Sequence, residues 1–390
     1  MDLEVSKVAV FAMYILFFAL FPLNDACPRA NPKSSSLNVL DFGAKADGET
    51  ESSQAFSKAW DAACKTTNGI PSIMIPRGDF LVNQIILGTI LAPASPSAWK
   101  VEYSPKWLTF ENVNGLNIMG PGGINGQGKG WWDQSCRDHP GLALSLASCM
   151  DCSISRIHST NSPQIHILIL DSNRTKIDHV TITAPESSPN TDGIHIQSSH
   201  DITITGSTIG SGDDCVSVGD YNSDIHISDI NCGPGHGISI GSLGKDGNVA
   251  DVKNIFVRDV RLNGTTNGAR IKTWQGGKGT VRDVIYERLK FTNVKNPIII
   301  DQNYCDQAAP CKEQSTGVQI SDVTFRDFYG TSATDMAISL ICSRAVACTG
   351  IKLESINLTS AKTRRSVFSN CINAHGTIVG HVEPRECLKK

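Results

Sequence analysis

From about residue 150 onward, short segments in which apolar and polar residues alternate recur at nearly regular intervals. Alternation at every second residue is typical of a strand with one buried face, and self-similarity at this spacing predicts a solenoid with several strands per repeat. Seven such segments begin at residues 177, 202, 225, 255, 284, 318 and 351. A second series lies between them, at residues 193–196, 215–218, 237–240, 269–272, 297–300 and 337–340.

The fold predicted by this pattern is all-β, a single-domain right-handed parallel β-helix with an N-terminal capping helix. Helical repeats are excluded because no repeat sustains a 3.6-residue period. A β-propeller remains as an alternative, although its blades need about 40–45 residues each. Before the repeats, Ser53 to Cys64 has apolar residues at helical spacing. We expect this helix to cover the N-terminal end of the coil, which would otherwise expose the core and strand edges.

The N-terminus predicts a secretory signal peptide over residues 1–26. Lys7 precedes the apolar run Val8 to Leu23, which contains Pro22 and is shorter than the roughly 20 residues of a membrane-spanning helix. Cleavage is expected near Ala26, and a retained signal anchor is the alternative. Since no linker is visible, residues 27–390 are predicted to form one domain.

Secretion changes the interpretation of the thirteen cysteines. In an oxidising compartment most of them are expected to form disulfides, and the close pairs Cys342/Cys348 and Cys371/Cys387 indicate local bridges. The odd count leaves at least one cysteine without a partner in the chain.

Glycosylation sequons and charge add to this picture. Three sequons begin at Asn173, Asn263 and Asn357, as in a protein that passes through the secretory route. The net charge of −3 gives no indication of a nucleic-acid partner.

Acidic residues recur at the same place in successive repeats. Asp192, Asp214 and His236 each precede a segment of the second series, at intervals of 22 residues. In a β-helix, one coil later means the same edge displaced by about 4.7–4.9 Å. The three residues should therefore form a column, with Asp213 beside Asp214 at a turn where both side chains can face outward. Arg270 falls on the same side in the next segment, as does Lys272.

Clustered carboxylates and cations predict a particular chemistry. Packing carboxyl groups together raises the pKa of at least one, which keeps a general acid protonated. Two carboxyl groups with room for a water molecule are what inverting glycoside hydrolysis needs. Nearby cations suit a sugar that carries a carboxylate. Ordinary turn residues are one alternative explanation. A metal site is another, but Arg270 and Lys272 would repel the ion.

At these residues the sequence resembles the polygalacturonases, which are pectin-degrading glycoside hydrolases, and the plant branch with its pollen forms most of all. The resemblance covers the chain from about Val39 to the C-terminus and is strongest in four ordered motifs: Asn190-Thr191-Asp192-Gly193, Gly212-Asp213-Asp214, Gly235-His236-Gly237 and Arg270-Ile271-Lys272.

The resemblance implies roles for individual residues. Asp213 would be the general acid, Asp192 and Asp214 would activate the attacking water, and His236 would maintain the protonation of the acid. The residues implied to bind substrate are Asn190, Arg270, Lys272 and Tyr304.

The resemblance also implies a secreted, monomeric cell-wall enzyme that hydrolyses α-1,4-linked galacturonan with inversion, in the exo mode, without metal or cofactor. Two alternatives stay open: a rhamnogalacturonan hydrolase, and a secreted carbohydrate-binding β-helix without turnover.

Overall fold

The computed structural model describes residues 35–65, 71–74, 79–85, 88–92, 94–96, 106–134, 141–305, 312–362, 365–385 and 387–390. The expected signal peptide, residues 1–26, lies outside this part of the chain. Within the described residues, none of the helices has the length and apolar character needed to cross a membrane.

Short strands make up most of the described chain. The strands in the N-terminal half are β1 Ser35–Asn38, β2 Asp47–Glu51, β3 Pro71–Met74, β4 Asp79–Ile85, β5 Thr89–Leu91, β6 Lys106–Glu111, β7 Leu116–Met119, β8 Gly123–Asn125, β9 Leu142–Ala147, β10 Ser153–Ser155, β11 His158–Thr160, β12 Ile167–Leu170, β13 Asn173–Asp178, β14 Thr181–Thr183 and β15 Ile194–Gln197. The remaining strands are β16 His200–Thr205, β17 Thr208–Gly210, β18 Val216–Val218, β19 Asn222–Cys232, β20 Ile238–Leu243, β21 Val249–Asn263, β22 Asn267–Trp274, β23 Lys278–Val294, β24 Asn296–Tyr304, β25 Gln319–Ser332, β26 Met336–Ile341, β27 Cys348–Ser360, β28 Phe368–Ile372 and β29 Ala374–Glu383. The helices are α1 Ser53–Lys65 and α2 Lys129–Trp132, with 3₁₀ turns at Val39–Phe42 and Lys245–Gly247.

The strands pair in parallel with their equivalents one coil earlier and one coil later. Ten of them form one sheet, in the order β6-β9-β12-β15-β18-β20-β22-β24-β26-β28. Seventeen others form the remaining faces of the coil, and β1 and β3 pair separately. This arrangement is a right-handed parallel β-helix, as the repeats predicted.

The core is a set of stacked apolar side chains that run the length of the coil. In the ten-stranded sheet, Ile194 lies in register between Ile167 and Val216, and all three are buried. On the opposite face, Ile227 and Val257 are paired and equally buried. Because every coil adds one layer to each stack, the inward positions tolerate few residue types other than aliphatic and aromatic ones.

Helix α1 closes the N-terminal end of the coil, which confirms the predicted cap. Its Ala55 and Ala59 are buried against Val39 and Ala44. The helix packs beside β1, β3 and β4 and so covers an edge that would otherwise be open.

Disulfides connect neighbouring segments of the coil. The bridges predicted from spacing, Cys342–Cys348 and Cys371–Cys387, are both present. Two further bridges, Cys149–Cys152 and Cys215–Cys232, were not predicted. The second bridge links Cys215, the residue after Asp214, to Cys232 at the end of β19. It therefore fixes the backbone at the start of β18, where the candidate site lies.

Candidate active site

The candidate site lies where β15, β18 and β20 begin in the ten-stranded sheet. The backbone N–H of Gly193 donates to the carbonyl of Asp214 (2.8 Å), and that of Cys215 donates to the carbonyl of Gly237 (2.9 Å). The 22-residue interval is therefore one coil. Asp192, Asp214 and His236 occupy equivalent backbone positions on three successive coils, in the column that the sequence predicted.

The side chains of the column do not all point the same way. His236 Nδ1 lies 3.0 Å from Asp213 Oδ1, so the histidine contacts Asp213, which stands one residue outside the column. The amide of Asn190 donates to the other oxygen of Asp213 at 3.4 Å. The backbone N–H of Asp214 donates to Asp213 Oδ1 at 2.8 Å. The Asp213 side chain is 16 % exposed, enough for a substrate to reach it.

Asp214 is held differently, with only 1 % of its side chain exposed. Arg270 Nη2 donates to its Oδ1 at 2.7 Å, and Lys272 Nζ donates to its Oδ2 at 3.1 Å. Ser239 Oγ donates a third hydrogen bond, to Oδ1, at 2.6 Å. Burial alone would raise the pKa of Asp214, but the charges of Arg270 and Lys272, together with the hydrogen bonds from Ser239 and Lys272, outweigh it and lower the pKa. The sequence predicted that both adjacent side chains can face outward from the coil; that of Asp213 is partly exposed, whereas that of Asp214 is covered by its bonding partners.

Asp192 has the opposite electrostatic environment. Its burial, followed by the negative charges of Asp213 and Asp214, raises its pKa well above the ordinary value. Ser217 Oγ donates to Asp192 Oδ2 at 2.6 Å and favours the ionised form. His195 Nδ1 lies 2.7 Å from the same serine oxygen. Two carboxyl groups one coil apart are thus driven toward different protonation states.

An aromatic and cationic group flanks these acids. The Nζ atom of Lys272 lies 5.5 Å from the ring centroid of Tyr304, within the range of a cation–π contact. Tyr304 meets the indole of Trp274 edge-on, with ring centroids 5.4 Å apart. Lys245 Nζ lies 5.1 Å from the centroid of that indole. The sequence had indicated Tyr304 and Lys272 but not Trp274 or Lys245.

All eight residues indicated by the sequence lie in or beside this region. Asp192 is bonded to Ser217 and Tyr304 lies beside Lys272, while the other six form two groups. Asp213, His236 and Asn190 make one group, and Asp214, Arg270 and Lys272 make the other. The sequence analysis missed the two serines that bond Asp192 and Asp214, which are Ser217 and Ser239. The sequence did contain a signal for these serines, because both are polar residues at outward positions of otherwise apolar strands.

Ligand atoms of Asp213, Asp214 and His236 lie within 4.8 Å of one another, a separation that suits a metal ion. The charges oppose this use. Both oxygens of Asp214 already accept hydrogen bonds from the cationic side chains of Arg270 and Lys272, which would repel a bound cation. The donor set therefore fits acid–base chemistry better than metal binding.

The geometry can support hydrolysis, in which one group gives a proton to the leaving group and another takes a proton from water. One carboxyl group is accessible and touches a histidine, one is held in the ionised form by two cations, and one has a raised pKa. Pairs of titratable groups whose pKa values are pushed apart divide the work of acid and base.

Comparisons with known proteins agree with this chemistry. The model of the family described as "Glycosyl hydrolases family 28" matches residues 66–380. A polygalacturonase of Malus domestica is 40 % identical over 375 residues, which are 90 % of this chain and 79 % of the relative. One of Prunus persica is 39 % identical over 405 residues, covering 98 % of this chain and 100 % of the relative.

Solved structures show the same fold. A polygalacturonase from Erwinia carotovora superposes with a TM-score of 0.63 at 25 % identity, covering 92 % of this chain and 100 % of the other. A hyperthermoactive exopolygalacturonase from Thermotoga maritima gives a TM-score of 0.66 at 18 % identity, with coverages of 90 % and 93 %. An endo-xylogalacturonan hydrolase from Aspergillus tubingensis gives 0.64 at 20 % identity, with coverages of 89 % and 100 %.

Proposed function

The chain belongs to glycosyl hydrolases family 28, and from this we propose that it hydrolyses α-1,4-galacturonosyl linkages of polygalacturonate and pectin. It is a glycoside hydrolase, and the relatives named above make pectin its substrate class. The observation that carries the proposal is the pairing of an accessible Asp213–His236 couple with Asp214, which Arg270 and Lys272 hold ionised.

Asp213 is proposed as the general acid because it is the accessible member of the adjacent pair. A proton donor must reach the glycosidic oxygen within hydrogen-bond distance. Asp213 is 16 % exposed, whereas Asp214 is 1 % exposed and both its oxygens are engaged. His236, in contact with Asp213 Oδ1, can return a proton to the acid after each turnover.

Asp192 and Asp214 are proposed as the groups that activate water. Asp214 is ionised, and the raised pKa of Asp192 makes its carboxylate a stronger base once it has lost its proton. Attack by this water from the face opposite the leaving group would invert the anomeric configuration.

Substrate recognition is proposed to involve the positive charges of the site. Arg270 and Lys272 keep 13 % and 11 % of their side chains exposed while bonding Asp214. A galacturonate carboxylate that approached them would form charge-assisted hydrogen bonds with the remaining donors. Tyr304 and Asn190 border the same space and would shape the subsite.

The exo mode, the monomeric state and the cell-wall location are also parts of this proposal. The exo mode and the monomeric state rest on the resemblance to plant and pollen enzymes. Four disulfides in the described chain support an oxidising, extracellular setting.

One experiment tests the reaction. Incubating the protein with polygalacturonate, in chelator, and following the first products by proton NMR and by size should give the inverted anomer and free galacturonate from the earliest times. A ladder of oligomers would replace the exo mode by an endo mode. Retained configuration or an unsaturated product would contradict the mechanism. Activity on rhamnogalacturonan alone would change the substrate, and absence of turnover on both polymers would leave a binding module.

A further inference from the structure

Two acids of the site have the same kind of partner, a serine from the following coil. Ser217 donates to Asp192 Oδ2 and Ser239 donates to Asp214 Oδ1, each at 2.6 Å and each from a position 25 residues further along the chain. Both serines are buried, with 1 % and 0 % exposure. The same geometry is thus built twice, one coil apart.

The two serines differ in the second residue that contacts the hydroxyl group. His195, Ser217, Ser239 and Arg270 follow one another in register along the outward side of β15, β18, β20 and β22. His195 Nδ1 lies 2.7 Å from Ser217 Oγ, and Arg270 Nε donates to Ser239 Oγ at 2.8 Å. One serine is therefore supported by an imidazole and the other by a permanent cation.

The direction of the hydrogen bonds at Ser217 follows from the protonation state of Asp192. A serine hydroxyl has one proton to donate. If Ser217 gives it to an ionised Asp192, its oxygen must accept from His195, so the imidazole carries its proton on Nδ1. Burial lowers the pKa of His195 to about 4, which keeps the ring neutral at the pH of most assays.

We propose that Ser217, supported by His195, is a positioning residue that favours the ionised form of the Asp192 carboxylate, in which it can accept a proton from water. The inference rests on the proposed function, because it assigns Asp192 to water activation. The serine engages Oδ2, and Oδ1 is the atom that we assign to the water.

The charged groups around Asp192 show why one hydroxyl matters. Its burial and the carboxylates of Asp213 and Asp214 all favour the protonated form. The charge of Lys272 and the hydrogen bond from Ser217 favour the ionised form. Without the serine hydroxyl, Lys272 would remain to oppose burial and two negative charges.

The test is the pH profile of kcat/KM for Ser217→Ala. A hydrogen bond to a charged group supports a loss of about tenfold in kcat/KM on the acid side of the optimum. The same loss corresponds to an upward shift of the acid limb by about one pH unit, because Asp192 would then bind its proton more tightly. KM should change little. Ser217→Thr, which keeps a hydroxyl, should restore the position of the limb.

His195→Ala should shift the limb in the same direction but less, because the serine hydroxyl remains. The double variant should be no worse than Ser217→Ala, since the histidine acts through the serine. Ser339→Ala is the matched control: the residue lies in the same outward column on β26, beyond Arg270 and Ile299. A loss of activity in Ser217→Ala that is equal at every pH would overturn the proposal.

A second readout separates this inference from the proposed function. Nitrogen NMR of the imidazole rings should show His195 neutral and protonated on Nδ1 in the wild type, with that preference lost in Ser217→Ala. If the wild type does not cleave polygalacturonate, the proposed function fails while this measurement still decides the hydrogen-bond direction. An His195 ring that is protonated on Nε2 in the wild type, or unchanged by the substitution, would contradict the inference.

Discussion

At the scale of single residues, the same amino acid acquires different properties one coil apart. Asp192 and Asp214 occupy equivalent backbone positions, and each accepts a serine hydrogen bond. Arg270 and Lys272 reach Asp214 with direct hydrogen bonds, so their charges outweigh the penalty of burial and lower its pKa. Asp192 has no such ion pair among the described residues, and burial raises its pKa. The neighbouring side chains, and not the backbone geometry, therefore give Asp192 and Asp214 different pKa values.

The adjacent aspartates should respond differently to substitution. Asp213→Asn removes the proton donor and should lower kcat by about 10²–10⁴-fold. An aryl galacturonide with a good leaving group needs no protonation, so the loss should shrink on that substrate. Asp214→Asn should not be rescued, because water activation is still needed. Steady-state kinetics of both variants on both substrates make the measurement, and equal rescue would show that the roles are wrongly assigned.

The two variants should also differ in stability. Asp213 is partly exposed, so Asp213→Asn should unfold at nearly the wild-type temperature. Asp214→Asn leaves Arg270 and Lys272 largely buried beside a neutral amide. Breaking a buried ion pair in this way costs about 3–5 kcal/mol, which calorimetry would register. The kinetic comparison must therefore be made below the unfolding temperature of Asp214→Asn.

Asp192→Asn should stabilise the protein at neutral pH. The folded-state pKa of Asp192 lies above its ordinary value of 3.8, so the folded state binds the extra proton. Its contribution to stability is present at low pH and is lost as the pH rises through the folded-state pKa. Each unit of raised pKa is worth about 1.4 kcal/mol. Thermal midpoints of both proteins from pH 4 to 8 should diverge as pH rises, and parallel curves would contradict the assignment.

Sequence reasoning located the acids but not their partners. The 22-residue spacing places Asp192, Asp214 and His236 in a column because a β-helix translates sequence period into spatial register. It could not show that His236 turns toward Asp213, since side-chain direction at a turn is set by contacts distant in sequence. Nor could it show that Asp214 is buried, because Arg270 reaches it from 56 residues away.

At the scale of elements, strands were predictable wherever they are long enough to alternate. The long strands from β19 to β27 show the pattern several times over. Strands such as β5 Thr89–Leu91 have one buried residue and leave no period to detect. The predicted helix needed only one correction, since α1 continues one residue past Cys64 to Lys65.

A corner of the coil gives a prediction at this scale. Asn222, at the start of β19, is buried and donates from Nδ2 to the carbonyls of Ile196 (3.0 Å) and Gly219 (2.8 Å). Its Oδ1 accepts from the N–H of Ser199 at 2.9 Å. Asn222→Ala leaves these buried backbone groups without that partner, at a cost of about 1–3 kcal/mol for each group left unpaired.

Thermal unfolding should show a clearly lower midpoint for Asn222→Ala than for the wild type. Asn231→Ala is the matched control, because Asn231 lies on the same strand with its side chain exposed. If both variants unfold at the wild-type temperature, the corner hydrogen bonds do not stabilise the coil.

At the scale of the whole molecule, the acids of the site and the exposed glycosylation sequons lie on different sheets of the coil. The acids lie where central strands of the ten-stranded sheet begin. Asn263 and Asn357 are exposed at strands β21 and β27 of the seventeen-stranded sheet. Glycans at these two sequons would thus leave the site uncovered.

We expect the protein secreted from eukaryotic cells to begin near Cys27 and to carry glycans at both positions. Mass spectrometry before and after enzymatic deglycosylation checks this, with Asn263→Gln and Asn357→Gln each removing one glycan. Activity on polygalacturonate should survive deglycosylation, because neither asparagine lies on the sheet that carries the acids. A retained N-terminus, or two unmodified asparagines, would contradict the secretory prediction without touching the assignment of the acids.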